Sequence, residues 1–280
     1  MTDTLISAFF FLIGVVIASL IAWWEYRHQA LNKSGAYAAA VVGSVMLGLG
    51  GWALGSLLLA FFFSSVLLSK LTNRRKHAAA QQFEKGSNRD AWQVLANGGL
   101  PALIVLIERL VFWFGKGGIS HFLLSLLVSG GLAAATADTW ATEIGSLWGD
   151  RPRLITTFKR VEPGTSGGVT LVGILAALAG SAFIAWFNWV LLGHRLYHFV
   201  IAAPAFGGLA GSLVDSILGA TLQAQYECPN CQKLTEKHPI HTCGMPTRLY
   251  KGVSWLNNDW VNFFCVLTGT LFTWLIYTLL

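Results

Sequence analysis

Charge is what this sequence has least of. Only 11% of its 280 residues are Asp, Glu, Lys or Arg, whereas soluble domains carry about 25%. That deficit excludes an ordinary soluble enzyme, and the apolar content excludes a disordered chain. Cysteine is equally scarce, with four in the whole chain, which excludes a secreted disulfide scaffold. What remains is 54% hydrophobic residues, 12 Trp, 30 Gly and a mean hydropathy of +0.58. The composition predicts an all-α polytopic membrane protein of seven to eight transmembrane helices, a single integral-membrane domain over 1–280. The net charge of +6 does not point to nucleic acid, because cytoplasmic loops of membrane proteins are Lys/Arg-rich in any case.

A spanning helix needs about 20 apolar residues. Such runs lie near 5–24, 94–114, 119–137, 169–192, 199–222 and 261–280. The first lacks a basic leader and a small-residue cleavage site, so it reads as an anchor. The stretch 36–68 is too long for one crossing, and the break at Gly48-Leu49-Gly50-Gly51 divides it into two short helices. Merging it into one span is the alternative. With eight crossings, loops 25–35, 69–94, 138–168 and 223–257 share one side and hold 16 of the 19 Lys/Arg. That bias makes their side cytoplasmic and puts both termini outside; in a bacterium the host would be the inner membrane.

Charged groups within a membrane helix cost several kcal/mol and mark function unless paired. Gly130-Gly131-Leu132-Ala133 is followed by Asp138, and Gly207-Gly208-Leu209-Ala210 by Asp215, an offset of 77 residues throughout. This reads as an internal duplication whose two carboxylates approach one face in parallel. Asp138 and Thr142 share a helix face and Glu143 lies on the adjacent one. Paired carboxylates with nearby hydroxyls suit Mg²⁺. The competing reading is two helix-end aspartates hydrogen-bonded across a packing interface.

Gly164-Thr165-Ser166-Gly167-Gly168, after Pro163, leads towards the span near 169, and Lys159 and Arg160 stand just upstream. Free N–H groups and a helix N-terminus there would cradle phosphate. No lysine follows in P-loop spacing, and a plain capped glycine turn is the alternative. Arg89, Asp90, Gln93 and Asn97 recur at helical spacing as a span begins, and polar groups entering the membrane on one face line a cavity. Helix capping competes for Ser87, Asn88 and Asp90. Asn258, Asp259 and Asn262 repeat the pattern at the mouth of the last span, again with capping as the competitor. Between the last two spans, loop 223–257 holds Cys228, Cys231, His238, His241 and Cys243. Cys228, Cys231, His241 and Cys243 make a reasonable Cys₃His structural zinc knuckle; a reduced, unmetallated hairpin is the alternative. Cys265 belongs to the core of the last span.

The blocks SNRDAWQVLANGG (87–99), DTWATEIG (138–145), PGTSGG (163–168), GSLVDSILGATLQ (211–223) and WLNNDWVN (255–262), with the cysteine loop, resemble one integral-membrane family. It includes the chloroplast phytyl-phosphate kinase and the human transmembrane protein nineteen, and is similar to polyprenol kinases and CDP-lipid synthases. The resemblance runs from about residue 35 to the C-terminus. It implies transfer of a phosphoryl group from a nucleoside triphosphate, CTP by implication, to an isoprenoid lipid phosphate such as phytyl monophosphate. Asp138 and Asp215 would then hold Mg²⁺, with Glu143 behind them or as a further ligand. The 164–168 turn would cradle phosphate, and Arg89, Lys159 and Arg160 would offset charge. Two rivals stand beside this: a CTP-dependent cytidylyltransferase, and, in a different class, a membrane transporter or flippase.

Overall fold

The computed structural model describes residues 2–76, 88–115, 117–149, 151–193 and 199–279. Ser87, Lys116 and Arg195 lie outside them. The helices are α1 (Thr2–Arg27), α2 (Lys33–Ser44), α3 (Gly51–Lys76), α4 (Ala91–Trp113), α5 (His121–Trp148), α6 (Leu171–Leu191), α7 (Phe199–Thr221) and α8 (Asn258–Leu279). Seven are long and apolar enough to cross a membrane, and Lys33–Leu49 is a shorter apolar helix.

That shorter helix runs to Leu49 through a π-helical turn, Val45–Leu49. Its start lies against the Arg89 carbonyl, which a Cβ on Gly35 would strike. Its end offers the Leu49 carbonyl to Arg109 Nε at 2.9 Å. Arg89 and Arg109 mark the two ends of α4, so 33–49 covers the depth that α4 covers. Gly51, with φ +77°, then lets the chain reverse into α3. The expected division of 36–68 is therefore present, but α3 is not short. It runs eight residues past 68, because Ser69 and Thr72 both bond Glu143 of α5 and hold the extension in helical register.

Helix α5 is the axis. Its middle, 124–137, is buried almost without interruption, as expected of a helix apolar on every side. It packs against α3, α4, α6, α7 and α8, while the outer helices turn Leu171, Leu175, Trp186 and Leu271 outward. The duplicated glycines explain how three helices approach so closely. A Cβ on Gly130 would lie 2.8 Å from the Gly269 carbonyl of α8, and one on Gly207 would lie 2.7 Å from the same atom. The two copies thus embrace one patch of α8. Gly208 faces α5, where a Cβ would lie 2.8 Å from that of Ala133. Small residues at such crossings are what membrane helix packing selects. Gly208→Val is therefore expected to destabilise the bundle by about 1–3 kcal/mol, read as a lower melting temperature in detergent; an unchanged melting temperature would contradict the close crossing.

The loops carry short strands that a membrane-span reading does not register. Strands β1 (Arg153–Leu154) and β2 (Gly168–Val169) pair antiparallel. Strands β3 (Gln225–Cys228), β4 (Lys233–Thr235) and β5 (Arg248–Lys251) form a sheet in the order β4-β3-β5. Cross-links bring the four basic loops to one end of the bundle. Asn32 N donates to Arg89 O and Arg89 N to Ala30 O, both at 3.0 Å. Ser69 reaches Glu143 at 2.8 Å, and Ser166 reaches Gln223 at 2.7 Å.

Candidate active site

At that end lies a cavity of about 440 Å³. Its wall includes Arg89 and Asn97 from the start of α4, Asp138 and Glu143 from α5, the turn 163–168, Asp215 from α7, and Asn258 and Asn262 from α8. Residues as far apart in the chain as Arg89 and Asn262 thus face one space. Among the described residues lining it, Arg89 is the sole cation, against Asp138, Glu143, Asp215 and Glu236.

The two repeat aspartates enter from parallel helices. Burial disfavours charge on Asp215, and Asp138 and Glu236 add repulsion to it; a cation held among these carboxylates would relieve both. Thr139, Thr142, Ser212 and Ser216 supply hydroxyls around them. The donor set, carboxylate and hydroxyl oxygens alone, fits a hard divalent ion such as Mg²⁺. Glu143 is differently placed: Ser69 Oγ and Thr72 Oγ1 of α3 donate to its two oxygens, so it ties α3 to α5 while closing the cavity wall. Neither hydroxyl stood out in the sequence, because a Ser and a Thr near a helix end look like any solvated turn.

Glu236 is the acidic group that sequence reading passed over. It lies one residue past β4, and it reaches the cavity only because the small sheet folds back. Gln223 Nε2 donates to Glu236 Oε1 at 2.8 Å, and Ser166 Oγ donates to Gln223 Oε1 at 2.7 Å. A continuous chain of hydrogen bonds thus runs from the glycine turn to the cysteine loop.

The glycine turn lines the cavity, but not as the head of a helix. Strand β2 intervenes, and α6 begins at Leu171 with Thr170 as its cap, the Thr170 side chain accepting from Gly173 N at 3.0 Å. Two of the turn's N–H groups are spent internally: Thr165 N donates to Glu162 O and Gly168 N to Thr165 O. Gly167, with φ +77°, abuts Ala220 of α7, where a Cβ would come within 2.6 Å of the Ala220 Cα. The turn is thereby pressed against the helix that carries Asp215. Lys159 and Arg160, expected beside it, are exposed and absent from the cavity wall. Arg160 forms an isolated bridge with Arg153 of β1.

At the start of α4, capping and cavity lining turn out to be compatible. Asp90 is the N-cap and forms a full capping box with Gln93, yet Gln93 still borders the cavity. Asn97 Nδ2 donates to Gln93 O at 2.9 Å. Arg89 precedes the cap, where burial pulls its guanidinium below its ordinary value and Glu143 and Glu25 oppose that pull. On α8 the capping residue is Asn257, whose Oδ1 accepts from Trp260 N at 3.2 Å. Asn258 and Asn262 therefore remain on the cavity side. Asp259, expected beside them, is buried and outside the cavity wall, because one residue further along a helix turns the side chain by about 100°.

The ligand atoms of Cys228, Cys231, His241 and Cys243 all lie within 4.8 Å of one another. Cys228 Sγ is 3.5 Å from Cys243 Sγ, and His241 Nδ1 is 3.1 Å from the latter. Tetrahedral Zn²⁺ with bonds of about 2.3 Å needs sulfurs about 3.8 Å apart, so the cluster fits that ion. The hydrogen bond with His241 holds the Cys243 thiol down to about 6, while its bond to Cys243 pushes Cys231 up to about 11. His238 is turned away, stacked on Tyr226.

The chain matches the family described as "Integral membrane protein DUF92" over residues 16–270. It is 35% identical over 276 residues to Protein PGR of Arabidopsis thaliana, covering 93% of each chain. It is similar also to the uncharacterized membrane protein MJ0933 of Methanocaldococcus jannaschii, 33% identical over 222 residues, covering 79% of this chain and 85% of that one. Protein VTE6, chloroplastic, of Arabidopsis thaliana is 25% identical over 241 residues, covering 86% of this chain and 63% of that one. No solved structure matches. The family match and the likeness to Protein PGR extend along nearly the whole chain: the protein belongs to the DUF92 family of integral membrane proteins.

Proposed function

We propose that this protein is a membrane phosphotransferase that moves the γ-phosphoryl group of a nucleoside triphosphate, CTP by preference, onto an isoprenoid monophosphate. The observation that carries the reading is the convergence of Asp138, Asp215, Glu236, the 163–168 turn and a single cation, Arg89, on one cavity at one end of the bundle. An oxygen of the acceptor phosphate attacks the γ-phosphorus. The bond from that phosphorus to the β–γ bridging oxygen breaks, leaving a nucleoside diphosphate and a lipid diphosphate. The attacking oxygen is already anionic, so no general base is required, and positioning with charge neutralisation suffices. Asp138 and Asp215, with Glu236 beside them, would hold Mg²⁺, which when bound offsets the donor's phosphate charge. Arg89 orients the acceptor phosphate, and Asn258 and Asn262 offer amides to the nucleotide. The positive-inside bias of the four loops makes the cavity cytoplasmic.

A transporter would place its polar groups near the bilayer midplane, whereas these gather at one end. The test is incubation of purified protein with CTP or ATP, Mg²⁺ and farnesyl, geranylgeranyl or phytyl monophosphate, with products identified by mass. A lipid diphosphate is expected. A CDP-linked lipid would instead make the enzyme a cytidylyltransferase, and no product in any combination would overturn the reading.

The four ligands of the cysteine loop would hold one structural Zn²⁺, since a filled tetrahedron leaves no position for substrate. Elemental analysis should find one zinc per chain, lost on Cys228→Ser. A thiol held low contributes its thiolate above its ordinary value, and that contribution is lost as pH falls through about 6. Zinc affinity should therefore weaken progressively as pH is lowered past that value, because protons then compete for the thiolate; an affinity that does not change with pH would contradict the assignment. Because Glu236 lies within this loop, between Cys231 and His241, zinc loss should also lower phosphotransferase activity.

A further inference from the structure

Beside the polar cavity lies a second, narrow and largely apolar one. Its wall is drawn from three segments, 18–25 of α1, 39–47 of α2 with its π-helical end, and 89–98 at the start of α4, closed by Leu58, Leu59 and Phe62 of α3. Small residues, Ala18, Ala22, Ala39, Gly43 and Gly98, leave the space open. Four residues, Phe61, Arg89, Gln93 and Asn97, line both cavities. The apolar space thus adjoins the candidate active site, with Arg89 bordering both. Its one other charged residue, Glu25, is 1% exposed and attracts Arg89, and neither of its oxygens has a hydrogen-bond partner among the described residues.

We infer that this cavity receives the isoprene units nearest the acceptor's phosphate, with the phosphate on Arg89, and that the enzyme selects acceptors by those units. The inference rests on the phosphotransferase reading above. Two features fix the occupant. Among the described residues, the only cation bordering either cavity stands where they meet, which suits an anionic head with an apolar tail. The lining segments are also short: eight to ten residues, at about 1.5 Å per residue, span about 10–14 Å between first and last. An extended isoprene unit is about 5 Å long, from four carbon–carbon bonds of about 1.5 Å. The free volume, about 60 Å³, is room for roughly five waters, comparable to the carbons of one unit. The protein therefore contacts one or two units, and the rest of the chain lies in the bilayer.

The test is kcat/KM for acceptor monophosphates of one, two, three and four isoprene units. Efficiency should rise from one unit to two and then level off. A Cβ on Gly98 would sit 3.2 Å from Val42 and 3.6 Å from Leu58, so Gly98→Leu fills the cavity with little backbone disturbance. Ala39→Leu, at a half-buried position, is the second variant should the first fold poorly. Each should lower the efficiency for two or more units, relative to one unit, by about tenfold, the scale of a blocked apolar pocket. Leu175→Phe, on the exposed face of α6, should not change that ratio. A steady rise through four units, or an unchanged ratio in both filled variants, overturns the inference. If wild type phosphorylates no lipid monophosphate, the phosphotransferase reading is what fails. Crosslinking with a photoreactive prenyl monophosphate then decides the cavity alone: label on 18–25, 39–47 or 89–98 supports it, and label elsewhere or nowhere overturns it.

Discussion

Asp215→Asn and Asp138→Asn are each expected to reduce Mg²⁺-dependent phosphoryl transfer by at least about 10²-fold, the scale of losing one fixed electrostatic group at a reacting centre. The substitution keeps side-chain volume and removes only charge. Helix packing should therefore survive, since the close contacts of α5, α7 and α8 lie earlier on the helices, at Gly130, Gly207 and Gly208. Stability offers a second reading of the same variants. Asp138 and Glu236 repel Asp215 in the absence of a cation, so Asp215→Asn should leave the metal-free melting temperature unchanged or raise it. Wild type should gain stability on adding Mg²⁺, by about 2.7 kcal/mol at a hundredfold excess over Kd, and the variant should gain far less. An ordinary structural aspartate would show the opposite pattern, a lower melting temperature and no metal response to lose. Wild-type turnover in both variants would remove the metal site from the mechanism.

Arg89→Gln should have the next largest effect, a loss of about 10²-fold or more in kcat/KM, carried mainly by the KM of the lipid phosphate. Arg89 is the only cation among the described residues lining either cavity, so no neighbour can substitute for it. Arg89→Lys should recover only part, because an ammonium cannot match the guanidinium fork on a phosphate. Removing Arg89 also takes one of the attracting charges from Glu25, leaving Lys70 and His28, and a less compensated buried carboxylate destabilises a fold. The double variant Arg89→Gln with Glu25→Gln should therefore regain stability without regaining activity. If both return together, Arg89 serves the fold and not the substrate.

The apolar runs, the Gly48–Gly51 break and the one-sided basic loops are legible in the sequence because the bilayer imposes length, hydropathy and charge bias on each segment separately. The repeat is legible for a different reason: equal spacing records that Gly130 and Gly207 meet the same patch of α8. Helix ends are less so. The helices α3 and α5 run on past their apolar stretches, held by the Ser69 and Thr72 bonds to Glu143, and such tertiary tethers leave no periodic trace. The same holds for Glu236, which joins the cavity through a three-stranded sheet of three- and four-residue strands. Asp259, Lys159 and Arg160 show the converse. Nearness in sequence to a site suggested membership, but a helix turn directs Asp259 elsewhere and the cavity wall leaves out Lys159 and Arg160.

The most direct measurement is the fate of label from CTP carrying ³²P at either the α or the γ position, with phytyl monophosphate and Mg²⁺. Lipid-extractable label from γ-labelled CTP and none from α-labelled CTP, abolished in Asp138→Asn and Asp215→Asn, is the expected result. Label entering the lipid from the α position, or γ-transfer that persists in both variants, would contradict it.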